Sequence, residues 1–443
     1  MKLNGLLAAA VVLAGLSGLL YWSNHHPATE ATSKVSDTPP KILTLQDGDV
    51  SKIDIRKKGA ETVDLAKNDA GKWQINSPKV LGADQDAASS IVSTLSSLNS
   101  ERLVEDSAAD LSQYGLAPPS LEIEVTAKGR TQKLLMGDDT PAGSAVFAKL
   151  EGDPRVFTVA TYTKTSVDKG LNDLRDKRLL TTDFEKASQI EVITKKQSFA
   201  FGRNKQEWQI LKPKPLRADD FQVEDFVRKL REAKMELSAD SDAKKTASAF
   251  ASGTVVATVN VTDTSGTQKL EVRKNKDDYY AKSSAVEGTY KISNDLPQGL
   301  GKSVEDFRNK KLFDFGFDAP NKIELHDGAK SYFLTKGGDD WWSDGKKMDS
   351  SSIHSMINKL RELSADKFVD SGFSSTAFDV TVTSNDGKRV ERVLVSKTGD
   401  RYIAKRENEP ALYELSSSAV GELQKAATEL KPAPEPAPTA KKK

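Results

Sequence analysis

Along residues 41–430 the apolar positions switch between two periods, and the same succession returns three times. A period of two marks a strand with alternating faces; a period near 3.6 marks a helix with one buried stripe. Alternation appears first in Lys52-Ile53-Asp54-Ile55, then in Gln189-Ile190-Glu191-Val192 and Lys322-Ile323-Glu324-Leu325. Each run predicts a strand, followed by a hairpin that ends near a tryptophan. The three endings are Lys72-Trp73-Gln74-Ile75, Glu207-Trp208-Gln209-Ile210 and Asp340-Trp341-Trp342-Ser343. Trp73 and Trp208 are 135 residues apart, and Trp208 and Trp342 are 134 apart.

An acidic residue then opens a predicted helix in each copy: Asp84, Asp219 and Asp349. A carboxylate there accepts from the N–H groups that the first helical turn leaves unpaired. The apolar stripes are Ile91/Val92/Leu95/Leu98, Phe226/Val227/Leu230/Ala233 and Met356/Ile357/Leu360/Leu363. Their spacing gives each helix one buried face. Alternation resumes at Leu121/Ile123/Val125, Ala257/Val259/Val261 and Phe378/Val380/Val382. Turn signals follow at Lys128-Gly129, Ser265-Gly266 and Asp386-Gly387. A last hairpin sets Phe147 and Phe157 ten apart, as it does Tyr280 and Tyr290, and Ile403 and Tyr413. Two copies are expected to close on a short helix carrying Leu174-Arg175-Asp176-Lys177-Arg178-Leu179 or Phe307-Arg308-Asn309-Lys310-Lys311-Leu312. The third is expected to close on Val420, Leu423, Ala427 and Leu430.

The pattern predicts an α+β fold: three tandem repeats of a mainly antiparallel sheet with a packed helix, after an N-terminal transmembrane helix. The expected divisions are 1–40 for a signal-anchor helix and tether, 41–180, 181–313 and 314–430 for the repeats, and 431–443 for a tail. The anchor expectation rests on the uncharged run from Gly5 to Trp22 behind Lys2, closed by Tyr21 and Trp22. An uncleaved anchor and a cleaved signal both fit this run. Ala10, Ala14 and Gly18 would share one face of it, where small residues let a second membrane helix approach. The Pro/Ala/Lys-rich residues from Lys431 read as extended and unpacked.

Composition narrows the function. The chain has 443 residues, 65 Lys+Arg against 64 Asp+Glu, and no cysteine. A balanced charge gives no field for nucleic acid, and the missing thiols exclude disulfides, thiolate metal sites and cysteine nucleophiles. Four histidines leave few bases or metal ligands. His25-His26 lie in the tether, and His326 and His354 lack a metal-binding spacing. Ser350-Ser351-Ser352 and Ser416-Ser417-Ser418 read as helix starts, and Asp138-Asp139 and Asp339-Asp340 as turn residues. No catalytic residue, cofactor site or metal site is expected.

The Tyr114-Gly115-Leu116-x-x-Pro119 step, the Ile-x-Ile and Trp-x-Ile strands, the basic Leu-Arg-Asp-Lys-Arg-Leu segment and the N-terminal anchor together resemble one bacterial envelope family, domain of unknown function 4340. The resemblance implies a membrane-tethered extracytoplasmic protein, often encoded beside components of a gliding-motility-type ABC transporter. It supplies no catalytic or binding residues. Copies two and three lack the Tyr-Gly-Leu-x-x-Pro step.

These readings lead to a non-enzymatic scaffold or accessory protein of a membrane complex, anchored in the bacterial inner membrane by residues 5–22, with its body facing the periplasm or cell exterior. The alternative is a glycan- or peptide-binding envelope module using exposed aromatics. Its candidates are Trp341, Trp342, Tyr279 and Tyr280, because neighbouring strand residues face opposite ways and one of each pair is left less buried. A hydrolase with unidentified carboxylates is the third reading.

Overall fold

The computed structural model describes residues 41–434 except 205–206, 238–241 and 317–319. The proposed anchor, including Ala10, Ala14 and Gly18, and the tail beyond Pro434 lie outside the described residues. Among the described residues no helix is long and apolar enough to cross a membrane.

The chain divides into two compact units, Met1–Asp176 and Lys177–Lys443. The first unit holds one antiparallel sheet. Its strands are β1 (Val50–Lys57), β2 (Val63–Lys67), β3 (Trp73–Ser77), β4 (Leu81–Gly82), β5 (Arg102–Glu105), β6 (Leu121–Ala127), β7 (Arg130–Asp139), β8 (Ala145–Leu150) and β9 (Val156–Ala160). They lie in the order β4-β3-β2-β1-β6-β7-β8-β9-β5. Helix α1 (Gln85–Ser96) buries Ala88, Ile91, Val92 and Leu95 against Ile53, Ile55, Leu65 and Ile123. Helices α2 (Thr161–Val167) and α3 (Leu171–Leu174) complete this unit.

The second unit holds two more sheets. One is built from β10 (Gln189–Thr194), β11 (Ser198–Asn204), β12 (Glu207–Lys212), β13 (Leu216–Arg217), β14 (Thr254–Asp263), β15 (Gly266–Asn275), β16 (Asp278–Ser283) and β17 (Tyr290–Ile292). Its helices are α4 (Asp220–Arg231), α5 (Ala243–Ser252) and α6 (Asp295–Leu300). The other has β18 (Lys322–Asp327), β19 (Lys330–Gly337), β20 (Asp340–Ser343), β21 (Lys346–Lys347), β22 (Lys367–Val369), β23 (Thr376–Ser384), β24 (Arg389–Thr398), β25 (Arg401–Arg406) and β26 (Leu412–Leu415). Helices α7 (Ser350–Glu362) and α8 (Ser417–Thr428) pack on it. The strand orders β13-β12-β11-β10-β14-β15-β16-β17 and β21-β20-β19-β18-β23-β24-β25-β26-β22 repeat that of the first sheet. Among the described residues the second sheet lacks the ninth strand, and one bridge, Glu236 to Lys291, holds its place.

Register makes the repeat specific. Phe157, Tyr290 and Tyr413 each pair with an alanine eliminated from solvent: Ala148, Ala281 and Ala404. Lys67, Arg203 and Lys336 each pair across the strand with the repeated tryptophan, Trp73, Trp208 or Trp341, so Trp341 and not Trp342 is the equivalent of Trp208. Asp84, Asp219 and Asp349 are the N-caps of α1, α4 and α7; their carboxylates accept from Ala87, Gln222 and Ser352 N–H groups.

Two expectations are corrected. The basic runs after Leu174 and Phe307 are extended strands of connector, not helix. Arg175 bridges Ala83, and Arg308 bridges Ala218. The cap residues Asp84 and Asp219 donate their N–H groups to Leu174 and Phe307 carbonyls, both at 2.8 Å. These pairings need extended backbone, and they override the helix-favouring composition of the run. Within the second unit, Lys311 then bridges Ser364, and Leu312 donates to the Leu363 carbonyl at 3.0 Å. The connector thus adds its first half to the second sheet and its second half to the third.

The second correction concerns Lys431-Pro432-Ala433, which is packed. Asp349 donates to the Lys431 carbonyl at 2.9 Å, Pro432 bridges Met348, and Ala433 donates to the Lys347 carbonyl at 2.8 Å. These residues occupy the place of Leu174-Arg175-Asp176 and Phe307-Arg308-Asn309. At the other end Lys41 bridges Asn99, as Arg178 bridges Lys234. Every sheet module is therefore closed by the same two short pairings.

Candidate functional site

A group of paired ionisable side chains in the second unit lies where the connector passes from the second sheet to the third. In the second module Thr181 donates its N–H to the side-chain oxygen of Gln268 at 2.9 Å. The matching residues of the third module are Asp314 and Glu391, and the Asp314 N–H donates to the Glu391 carboxylate at 3.0 Å. Residues 132, 268 and 391 all fall on the core-facing side of a strand, and Glu391 is only 5% exposed. Two acids thus stand where the second module places a neutral pair.

Arginines neutralise them. Arg406 reaches Asp314 and Glu391 at 3.0 Å each, and Glu409 at 2.9 Å. Arg217, from β13, pairs with Asp314 and reaches Glu409 at 2.9 Å. Arg389 stands 3.7 Å from Asp314 and 3.6 Å from Glu391. Tyr413 donates its hydroxyl proton to Glu409 at 2.7 Å, and Asn309 donates to Asp314 at 2.9 Å. Buried charges are tolerated only when paired and hydrogen-bonded in this way.

Burial works against the Asp314 charge, but Arg217 and Arg406 outweigh it and hold the carboxyl below the usual carboxylate range. Burial likewise opposes the Arg217 charge, and Asp314, Tyr413 and Glu409 overcome it, pushing the guanidinium further up. Burial raises the Tyr413 phenol, with Glu409 adding to the rise and Arg217 opposing it. A general base needs a proton affinity poised near the working pH, and a nucleophile needs such a base beside it. Asp314 and Arg217 are instead pushed further toward their charged forms. The ion pairs tie the connector to the second and third sheets.

Two cavities flank it, of about 360 and 310 Å³. The larger lies among Leu216, Arg217, Arg308, Phe368, Glu409 and Tyr413. Among the described residues no group of three His, Asp or Glu side chains is placed to hold a metal.

The candidates from the sequence are not brought together here. Trp341 is 8% exposed in the third core, whereas Trp342 is 41% exposed on the opposite face. Tyr279 and Tyr280 lie on β16 of the second sheet, both half-buried, with Lys274 5.4 Å from the Tyr279 ring centroid. His326 lies 3.4 Å from Asp379, and His354 donates to the Ser350 carbonyl at 2.7 Å. Ser350 begins α7, Ser416 caps α8, and Gly338-Asp339 form a tight turn between β19 and β20. The charged joint escaped the sequence reading because Arg217 and Tyr413 are 196 residues apart. One signal was present: Glu391 breaks the apolar alternation it shares with Val393 and Val395.

In the first unit the Tyr-Gly-Leu-x-x-Pro step has a packing role. The Tyr114 carbonyl oxygen lies 2.1 Å from where a Cβ on Gly137 would sit, so only glycine admits it. The Tyr114 hydroxyl donates to Glu105 at 2.6 Å, and its ring lies 5.0 Å from Phe147.

Among curated proteins none matches the chain. A crystal structure of the DNA polymerase sliding clamp from Pseudomonas aeruginosa, with ligand, aligns over 85% of this chain and 93% of that one. Identity is 7% and the TM-score 0.16, so the likeness carries no argument. The family described as Domain of unknown function (DUF4340) matches residues 73–210 and again 208–379. The two matches begin at Trp73 and Trp208, equivalent positions of successive modules. The chain belongs to that family.

Proposed function

We propose that the protein is a non-enzymatic, membrane-tethered adaptor: residues 5–22 hold it in the bacterial inner membrane and the sheet modules face the periplasm or cell exterior. There they scaffold a membrane complex of the ABC-transporter type. The observation that carries this reading is the ion-pair cluster at the joint, which ties the second and third modules to each other as a scaffold requires. The repeated modules offer extended surface, and a tether raises the local concentration of partners to roughly millimolar, so weak contacts suffice. No cofactor, metal or nucleic acid enters the reading.

The alternative, a glycan- or peptide-binding envelope module, has support from Trp342 alone of the four aromatics, since the other three are buried or half-buried. The test is to wash membranes with alkaline carbonate and then solubilise the pellet for affinity purification. The chain should stay with the pellet and bring down membrane proteins in fixed ratio. Full release by the wash, or purification of the chain alone, would refute the adaptor.

A further inference from the structure

The three modules act as internal controls for one another, and the outer face of the third sheet departs from the other two. Trp342 pairs with Thr335, the position held by Gln74 opposite Ala66 and by Gln209 opposite Gly202. Phe333 stands where the others have Asp64 and Ala200, and Val390 where they have Thr131 and Thr267. All three are exposed, at 41%, 47% and 61%. Packing does not require them, because the other modules close with polar or small residues at the same places.

The tryptophan also packs against a glycine. A Cβ on Gly337 would lie 3.3 Å from the Trp342 Cδ1 and Nε1 atoms, so the indole rests on bare backbone. Asn68 and Asn204 occupy that position in the first two modules. Phe333 is steadied by His326, edge-on at 5.5 Å.

Charge and spacing indicate the occupant. Lys322 pairs with Glu324, and Arg392 pairs with Asp379 at 3.3 Å and Glu407 at 3.1 Å. The face therefore lacks the cation surplus that an anionic membrane or a nucleic acid needs. The apolar groups are few: Phe333 is the diagonal neighbour of Trp342, and Val390 stands apart at the end of the row Trp342, Thr335, Lys322, Thr383, Val390. Its ends are about 19 Å apart at the usual strand spacing. A protein partner is gripped by a contiguous desolvated cluster larger than two rings, and Val390 lies too far across the row to extend this pair. Two neighbouring rings among hydroxyls and paired charges suit a chain of neutral sugars, whose C–H faces stack on aromatics while their hydroxyls hydrogen-bond around them.

We propose that the outer face of the third sheet binds an extended neutral oligosaccharide, with Trp342 as the stacking platform and Phe333 as a second contact. The proposal is independent of the adaptor reading. The test titrates the full chain, in a zwitterionic detergent, with neutral hexasaccharides of β-1,4-glucan, β-1,4-N-acetylglucosamine, β-1,4-mannan and α-1,4-glucan. Tryptophan fluorescence and calorimetry report binding. At least one should bind saturably, about tenfold more weakly to W342A and several-fold more weakly to G337V, which lifts the ring. Circular dichroism should show both variants folded. No saturable binding up to about 20 mM by any of the four, or unchanged binding by W342A, would overturn the proposal. Loss in W342A of a copurifying protein, without sugar binding by the parent, would assign the face to a protein instead and equally overturn it.

Discussion

The guanidinium carbon of Arg308 lies 3.4 Å from the centroid of the Phe368 ring. Phe368 stands 5.3 Å from Tyr413, and the Arg217 guanidinium carbon lies 5.9 Å from the Tyr413 ring centroid. Two arginines of the second module thus each meet an aromatic of the third, beside the ion pairs of Asp314. Replacing Phe368 by Leu keeps apolar area and removes the ring. F368L should destabilise the second unit by about 1–2 kcal/mol, the range of a desolvated cation–π contact, measured by urea unfolding.

Asp314 should be more sensitive. It accepts from Asn309 and pairs with Arg217 and Arg406, so D314N leaves two arginines without their shared acid. Breaking a buried ion pair from one side costs about 3–5 kcal/mol, and urea unfolding should show a loss of that size. A loss below about 1 kcal/mol would mean the cluster behaves like a surface pair.

The same groups set the pH dependence. Asp314 titrates lower in the folded chain than in the unfolded one, so its contribution is complete above about pH 4. It is lost as the pH falls through the depressed folded value. Tyr413 titrates higher when folded, so its contribution is complete below about pH 10 and is lost as the pH rises through the raised value. Melting temperature against pH should fall at both ends. D314N should flatten the acid limb and Y413F the alkaline one.

The sequence showed elements that depend on near neighbours. The caps Asp84, Asp219 and Asp349 were legible because an acid precedes each apolar stripe, and strand alternation required one of Trp341 and Trp342 to be exposed without deciding which. The connectors were misread because Arg175 and Arg308 take their conformation from Ala83 and Ala218, about ninety residues away, not from their neighbours. Lys431-Pro432-Ala433 was misread for the same reason, since Lys347 and Asp349 hold it. Of the joint only the break at Glu391 was legible, because its charges come from four separate stretches of chain.

In the first unit, Gly137 has no room for a side chain. G137A would force backbone at Tyr114 to move, and should destabilise this unit by about 1–3 kcal/mol in thermal unfolding. The Tyr114 ring contact with Phe147 should loosen, visible as faster hydrogen exchange around residues 110–120.

The central claim is that the charged joint holds modules together while the protein works through its surfaces. The second module shows a neutral version of the joint: Thr181, Gln268 and Ser283 stand where the third has Asp314, Glu391 and Arg406. The triple variant D314T/E391Q/R406S transplants that set and leaves Arg217 paired with Glu409, and Arg389 with Glu207. The decisive measurement is affinity purification of this full-length variant and the parent from detergent-solubilised membranes. The account predicts that both are folded and bring down the same membrane proteins in the same ratio. A folded variant that has lost those proteins would contradict it and make the joint a functional site.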